Sequence, residues 1–566
     1  AQVADPPGAA VRSAYEVLLD VRGELHRRTA GSGRRTVDKL LMQEQDAVAA
    51  ALGYADADLL MAAVSGAART IAFASDATWR RITPAPRRRL LGRRTASPVR
   101  RPLAQDVVEQ AGEVVLARAA TPGEDAELVL RVAQAAARAG LPIAPNTLVR
   151  LTECPPLPVP WPASALDDFV GTLAAGPAAV HVLEALDQYG LLTGLLPEWE
   201  TVRSKPQRNS YHRFTVDRHL VEAAASAAAL TRRVARPDLL LLGALLHDIG
   251  KGLPGDHTDV GMVVVAELGP RLGLPPQDVD VLVAMVRHHL LLPDVATRRD
   301  LADPATAAAV AEAVGSADVL ELLHALTEAD AAATGPAAWS SWKAQLIGDL
   351  VRRAAALLAG HATPPEAALT LRQEELVSVG TLALDVADET VTVVAPDRPG
   401  LLSLAAGVLA LHRLDVRAAN AFSRGSTAVT VFRVEPRFGA YPDWALVRDD
   451  LRRALDGVLP LADKLAAREA AYARPTAVPA PPTVRLVDDA SDTATVVEVR
   501  APDALGVLRR ITQALDGCGL DVRSAHISSL GADVVDAFYV VGPDGHKLVE
   551  PRLREWVERD VLNALA

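Results

Sequence analysis

An eight-residue block occurs twice in this chain, as Ala395-Pro396-Asp397-Arg398-Pro399-Gly400-Leu401-Leu402 and as Ala501-Pro502-Asp503-Ala504-Leu505-Gly506-Val507-Leu508. A second block, Leu414-Asp415-Val416-Arg417, returns as Leu520-Asp521-Val522-Arg523 at the same offset of 106 residues. Two motifs in one register mark a duplicated domain. Each copy reads as strand, Asp-x-x-Gly turn, helix, strand, hairpin and closing helix, which is a βαββαβ unit of the ferredoxin-like kind. The copies are placed at 385–474 and 483–566, with Pro475–Pro482 between them as a stiff, extended linker.

Upstream of the duplication the hydrophobic period is 3.6, and it changes to 2 only after Val377. In Tyr15–His26 the residues Val17, Leu18, Val21 and Leu25 recur at helical spacing, and a turn at Gly31–Arg35 leads to a second helix over Val37–Leu52. From Ile82 to Pro102 Pro and Arg dominate, as in a loop. Asp106–Glu109 and Glu113–Leu116, split by Ala111-Gly112, predict a small hairpin. We therefore expect a multidomain, mainly α chain: a helical region with that hairpin at 1–165, an all-helical domain at 166–365, then two α+β units.

The chain has 566 residues, enough for several cores, and a net charge of −11. That balance argues against a nucleic-acid partner, which needs a basic footprint. Cys154 and Cys518 are the only cysteines, so a disulfide framework is excluded and a reduced compartment fits. Leu239–Leu246 and Leu401–Leu411 are too short to span a bilayer. The expectation is a cytoplasmic protein with no membrane partner, whose natural sequence extends upstream of Ala1.

The helical stretch carries the chemistry. His219 closes Val216-Asp217-Arg218-His219, and Leu245-Leu246-His247-Asp248-Ile249-Gly250-Lys251 follows 28 residues on. Then come His257, the pair His288-His289, and Asp330 in Thr327-Glu328-Ala329-Asp330. Imidazole and carboxylate together suit divalent ions. The adjacent His247 and Asp248 can both turn to one ion only at a helix end, and Leu239–Leu246 would bury that helix. Gly250 and Gly252 are expected to open the chain into a loop. Lys251 stands where a point charge could meet a phosphate. Of His288 and His289, one is expected in the site and the other beside it, and His288 is chosen.

These residues resemble the HD phosphohydrolase superfamily, with its H…HD…D pattern. The resemblance implies His219, His247, Asp248 and Asp330 as ligands of one metal, with His257 and His288 as candidates for a second. Manganese or magnesium is expected first, iron or zinc as alternatives. The strings His247–Gly261, Arg287–Pro304 and Leu326–Pro336, with Leu18–Tyr54 upstream, resemble more narrowly the bifunctional uridylyltransferase/uridylyl-removing enzymes that modify the PII nitrogen-signalling protein. The duplicated unit resembles their tandem ACT domains. That likeness implies hydrolysis of a uridylyl or adenylyl group from a tyrosine of PII, with His247, Asp248 and Lys251 as catalytic residues. It also implies glutamine as effector, bound at Asp397 and Gly400 or at Asp503 and Gly506.

One departure from the family bears on function. Its transferase half needs a Gly-rich turn followed by Asp-x-Asp, and Asp56-Ala57-Asp58 lacks the turn. Asp56 and Asp58 are read as surface loop residues, and the chain as given is expected to lack nucleotidyl transfer. Two rivals are weighed: a guanosine tetraphosphate hydrolase, and a non-catalytic, glutamine-responsive adaptor that binds PII. The first usually has further domains between the HD site and a single ACT unit; the second would be expected to lose a metal ligand.

Overall fold

The computed structural model of the protein describes residues 8–565 apart from 31–37, 83–99, 209–212, 300, 302, 336–337, 340, 362–369, 388, 438–439, 471–480, 488–490, 492, 503 and 531–532. The expected turn at Gly31–Arg35, most of the Pro/Arg loop, most of the Pro475–Pro482 linker and Asp503 lie outside the described residues. The chain forms two compact units, Ala1–His289 with Asp318–Ser340, and Leu290–Ala317 with Ser341–Ala566. The architecture is mainly α, followed by α+β.

The first unit begins with helices Ala9–Ala30, Met42–Leu52 and Ala57–Ile82, packed on Val21, Val48, Ala49 and Leu60. Asp56, expected in a loop, accepts the Leu59 N–H at 2.7 Å and so caps the third helix. Asp58 stands in that helix's first turn, bonded to Arg208. Among the described residues one unbroken helix, Ala57–Arg80, has the length and composition to cross a membrane, where the sequence reading found no such run. Its central Arg69 is bound by three carboxylates from later helices, which ties it into the unit.

A small antiparallel sheet follows: β1 Arg101–Ala104, β2 Val107–Gln110 and β3 Glu113–Leu116. Ala111 and Gly112, at φ 56° and 85°, give the two left-handed residues of a tight hairpin turn. The hairpin was legible; β1 was not, because it starts in Arg-Pro composition. Beyond it the unit is helical. In Pro237–Leu246 every residue from Leu239 onward is buried, so this helix is walled on all sides.

The second unit holds an eight-stranded antiparallel sheet in the order β4-β5-β7-β6-β10-β11-β9-β8. The strands are β4 Ala383–Ala387, β5 Thr390–Pro396, β6 Leu414–Arg424, β7 Thr427–Pro436, β8 Thr483–Val487, β9 Thr495–Pro502, β10 Asp521–Leu530 and β11 Asp533–Val541. The copies keep one register: Ala395 pairs Ala428, and 106 residues on Ala501 pairs Val534. The chain order differs from the expected βαββαβ. The fourth strand of each copy precedes the motif, as β4 and β8, each the antiparallel neighbour of β5 or β9.

The copies join edge to edge through β6 and β10, where Asn420 pairs with His526, its own counterpart 106 residues on. In the helical layer above, the Ser403 hydroxyl meets the carbonyl of its counterpart Arg509 at 3.4 Å. Equivalent residues can meet only on a symmetry axis, so an internal two-fold passes through both pairs. Helix Leu291–Arg298, from the insertion between the two parts of the first unit, packs on β10 and on helix Ser341–Leu358. Helix Pro304–Val314 packs on Ser341–Leu358 as well.

Candidate metal centre

His247 caps the C-terminus of the buried helix Pro237–Leu246, and Asp248 follows at φ −111°, ψ 14°, outside the helical well. That break lets two consecutive side chains face one point. The next turn, Ile249–Gly252, does not open into a loop as expected; it packs tightly. A Cβ on Gly250 would lie 2.0 Å from the His257 carbonyl, and one on Gly252 would lie 2.1 Å from the Thr201 hydroxyl. Gly250 thus holds His247-Asp248 against the first turn of helix His257–Arg271, and Gly252 holds the turn Ile249–Gly252 against Thr201.

The Asp248 carboxylate lies between two groups of histidines. Its Oδ2 is 3.5 Å from His247 Nε2, 3.9 Å from His219 Nε2 and 2.5 Å from Lys251 Nζ. Its Oδ1 is 3.8 Å from His257 Nε2 and 3.6 Å from His289 Nε2. Asp330, on helix Ala317–Thr334, closes the first group with Oδ1 3.0 Å from His219 Nε2 and 3.7 Å from His247 Nε2. His219, His247 and Asp248 form one set with donor atoms within 4.8 Å of one another; Asp248, His257 and His289 form another.

This donor set fits divalent cations. His247 Nδ1 contacts the Ala244 carbonyl at 3.0 Å and His289 Nδ1 the Val286 carbonyl at 2.6 Å. Each ring then donates from Nδ1 and turns a lone pair on Nε2 inward, as metal-bound imidazoles do. His247 Nε2 and Asp248 Oδ1 are buried with no hydrogen-bond partner among the described residues. Buried polar atoms are rarely left so, and an ion held by each histidine group would satisfy one of them. Burial alone would raise the Asp248 carboxyl, but His247, Lys251 and His289 hold it well below the usual carboxylate range. Burial would likewise raise Asp330, and the neighbouring imidazoles of His219 and His247 outweigh that.

Of the residues expected here, His219, His247, Asp248, His257, Asp330 and Lys251 converge. His288 does not: it is half-buried, belongs to neither ligand group, and its imidazole is pushed down by burial and Arg287. His289 takes the place expected of His288. The signal was present, since Leu282, Met285 and Val286 line the buried face of helix Pro276–His288 and His289 continues that phase at +7, +4 and +3. Sequence reading also missed Gln207, whose Oε1 accepts from Lys251 at 3.3 Å.

At the duplicated turns, Gly400 and Gly506 both adopt left-handed backbone, at φ 77° and 72°. Asp397 and Gly400 line a cavity of about 480 Å³ with Thr430, Thr512 and Asp516. The equivalent cavity at Gly506 is only about 40 Å³. Arg509 lines it where Ser403 lines the first.

The HD domain family matches residues 216–331, the span that holds all six converging residues. The chain is 47% identical to the bifunctional uridylyltransferase/uridylyl-removing enzyme of Streptomyces coelicolor, over 96% of this chain and 73% of that protein. It is 45% identical to the enzyme of the same name from Mycobacterium tuberculosis H37Rv, over 97% of this chain and 71% of that protein. The Corynebacterium glutamicum enzyme is 40% identical over 58% of the chain. With a buried H…HD…D cluster inside the matched span and identity of this extent, the chain belongs to the family of bifunctional uridylyltransferase/uridylyl-removing enzymes.

Proposed function

We propose that this chain is an HD-type, metal-dependent phosphodiesterase that removes a uridylyl or adenylyl group from a tyrosine of the PII signalling protein. The observation that carries the reading is the Asp248 carboxylate, with His219 and His247 on one oxygen's side and His257 and His289 on the other's. His219, His247, Asp248 and Asp330 would hold one divalent cation, and Asp248, His257 and His289 a second. Divalent cations supply Lewis acidity, which makes water more acidic and draws charge from phosphoryl oxygens.

The protein's own residues do the rest. Lys251, 26% exposed, sets a positive charge beside Asp248, where a substrate phosphate can compete for it. The buried rings of His219, His247 and His289 exclude bulk water and fix the donor geometry. A tyrosine phenol, of pKa about 10, leaves without a strong general acid. Manganese or magnesium suits the mixed nitrogen and carboxylate set.

Glutamine is the proposed effector, at the first duplicated turn. The backbone N–H groups beside Gly400 suit a ligand carboxylate, and Asp397 and Asp516 on the cavity wall suit its ammonium group. The smaller cavity at the second turn, about 40 Å³ against about 480 Å³, favours the first as the site. The route of regulation is the insertion Leu290–Ala317, which starts immediately after His289 and belongs to the sensor unit. The test is incubation of PII carrying either UMP or AMP with the purified chain, Mn²⁺ and varied glutamine. Release of one nucleotide with restoration of free tyrosine is expected; release of neither, with any divalent metal, overturns the reading.

A further inference from the structure

We infer that Arg69, in the N-terminal helical bundle, is a positioning residue for the metal ligand His219. The inference rests on the metal-centre reading above. Arg69 lies in the middle of helix Ala57–Ile82, and its side chain is 19% exposed. All five of its N–H donors are used. Nε and Nη2 bond Glu184, Nη2 also bonds Asp187 at 2.9 Å, and Nη1 bonds Ser204 Oγ at 2.9 Å and Asp217 Oδ2 at 2.6 Å. A guanidinium fork with every donor engaged has one orientation available to it.

Asp217 is the link to the metal centre. It is the second residue of helix Val216–Ala227 and is 1% exposed; Arg69 is its ion-pair partner among the described residues. Its other oxygen, Oδ1, is buried without a hydrogen bond among the described residues. His219 stands two residues further on. At about 100° per residue the two side chains leave the helix on nearly opposite faces, one towards Arg69 and the other into the metal centre. Thr215 makes no side-chain cap here, and among the described residues the Arg69–Asp217 bond ties the start of this helix to the N-terminal bundle.

Removing Arg69 would leave the buried Asp217 charge uncompensated beside Glu184 and Asp187. Of these only Asp187 keeps a second arginine bonded to it, Arg203, at 3.1 Å. The first turn must then shift to hydrate Asp217, and His219 moves with it. Ligand geometry tolerates little displacement, and partners behind the ligands typically govern metal affinity by about 10–100-fold. The helical bundle is therefore part of the metal centre's support as well as a neighbour of the HD domain.

The test is Mn²⁺ binding, read from the electron paramagnetic resonance signal of free Mn²⁺, with the full chain, Arg69→Met, Arg69→Met/Asp217→Asn and Arg69→Lys. Circular dichroism fixes an assay temperature at which each variant is folded. Mn²⁺ binding at least 10-fold weaker in Arg69→Met, with most of the loss recovered in the double variant, is the expected result. The double variant removes the stranded charge, so a merely structural cross-link would not be rescued by it. Should Arg69→Met fail to fold, Arg69→Lys, which keeps the charge but not the fork, is expected to weaken Mn²⁺ binding in the same direction but by less, and unchanged affinity in it overturns the proposal. Unchanged affinity in a folded variant, or equal loss in the single and double variants, overturns the proposal alone. No Mn²⁺ binding by the unaltered chain would overturn the metal-centre reading and this proposal with it.

Discussion

The Ser491 hydroxyl donates to Asp303 Oδ2 across 2.6 Å, joining two residues 188 positions apart. Asp303 also caps helix Pro304–Val314 by accepting the Ala305 N–H, while Ser491 Oγ accepts the N–H groups of Thr493 and Ala494 at the start of β9. One buried bond thus couples the insertion that follows His289 to the second copy of the duplicated domain. Tyr539 of β11, donating to the Arg298 carbonyl, and Arg299, 3.5 Å from Glu498, add to the same seam.

Replacing Ser491 by alanine should loosen that seam. Loss of a buried bond to a carboxylate costs about 2 kcal/mol. The expected outcome is nucleotide release within about twofold of the unaltered chain without glutamine, and at least a halving of the glutamine effect. A full glutamine response in Ser491→Ala would remove the insertion from the regulatory route.

At the end of helix Pro276–His288 the two adjacent histidines should behave differently. His289→Ala should lower hydrolysis by about 10-fold or more, the scale on which residues at a metal govern affinity or activity. His288→Ala should stay within about threefold. Steady-state rates across a Mn²⁺ titration decide it, and the reverse order would contradict the assignment.

The unequal cavities predict one glutamine per chain by isothermal titration calorimetry. Asp516→Ala should weaken that binding by about 10-fold, the scale of a lost charge-assisted bond. Arg509→Ala should leave the first site intact. Two equivalent sites in the unaltered chain would contradict the account.

His526 sets a pH dependence in the second unit. It is 2% exposed, and burial pushes its imidazole from 6.5 down to about 4. Above pH 6.5 the ring is neutral folded or unfolded and contributes nothing. Between pH 6.5 and about 4 the unfolded chain takes up a proton that the folded one refuses, so stability falls as pH falls, by up to about 3 kcal/mol. Thermal unfolding of this unit at pH 7.5 and 5.0 should show that loss, and His526→Leu should flatten it.

Much of this was legible because it is written locally or in register. The 106-residue offset announced the duplication, and the same offset places Asn420 against His526 on the internal axis. The apolar run before His247 announced a buried helix ending at the metal centre. What stayed hidden is what chain distance conceals. Arg69 and Asp217 are 148 residues apart, and Arg69 stands in no motif. The permuted edge strands β4 and β8 were missed because they lie ahead of the repeated blocks. The difference between His288 and His289 was a matter of helical phase, readable from Leu282, Met285 and Val286 once the helix end was known.

The most direct test of the account is the number of Mn²⁺ ions held by the unaltered chain and by Asp248→Ala, measured by equilibrium dialysis of folded protein. Because Asp248 serves both histidine groups, two ions are predicted for the unaltered chain, and this one substitution is predicted to weaken both together. One ion per chain, or two ions of which Asp248→Ala loses only one, would contradict the shared centre.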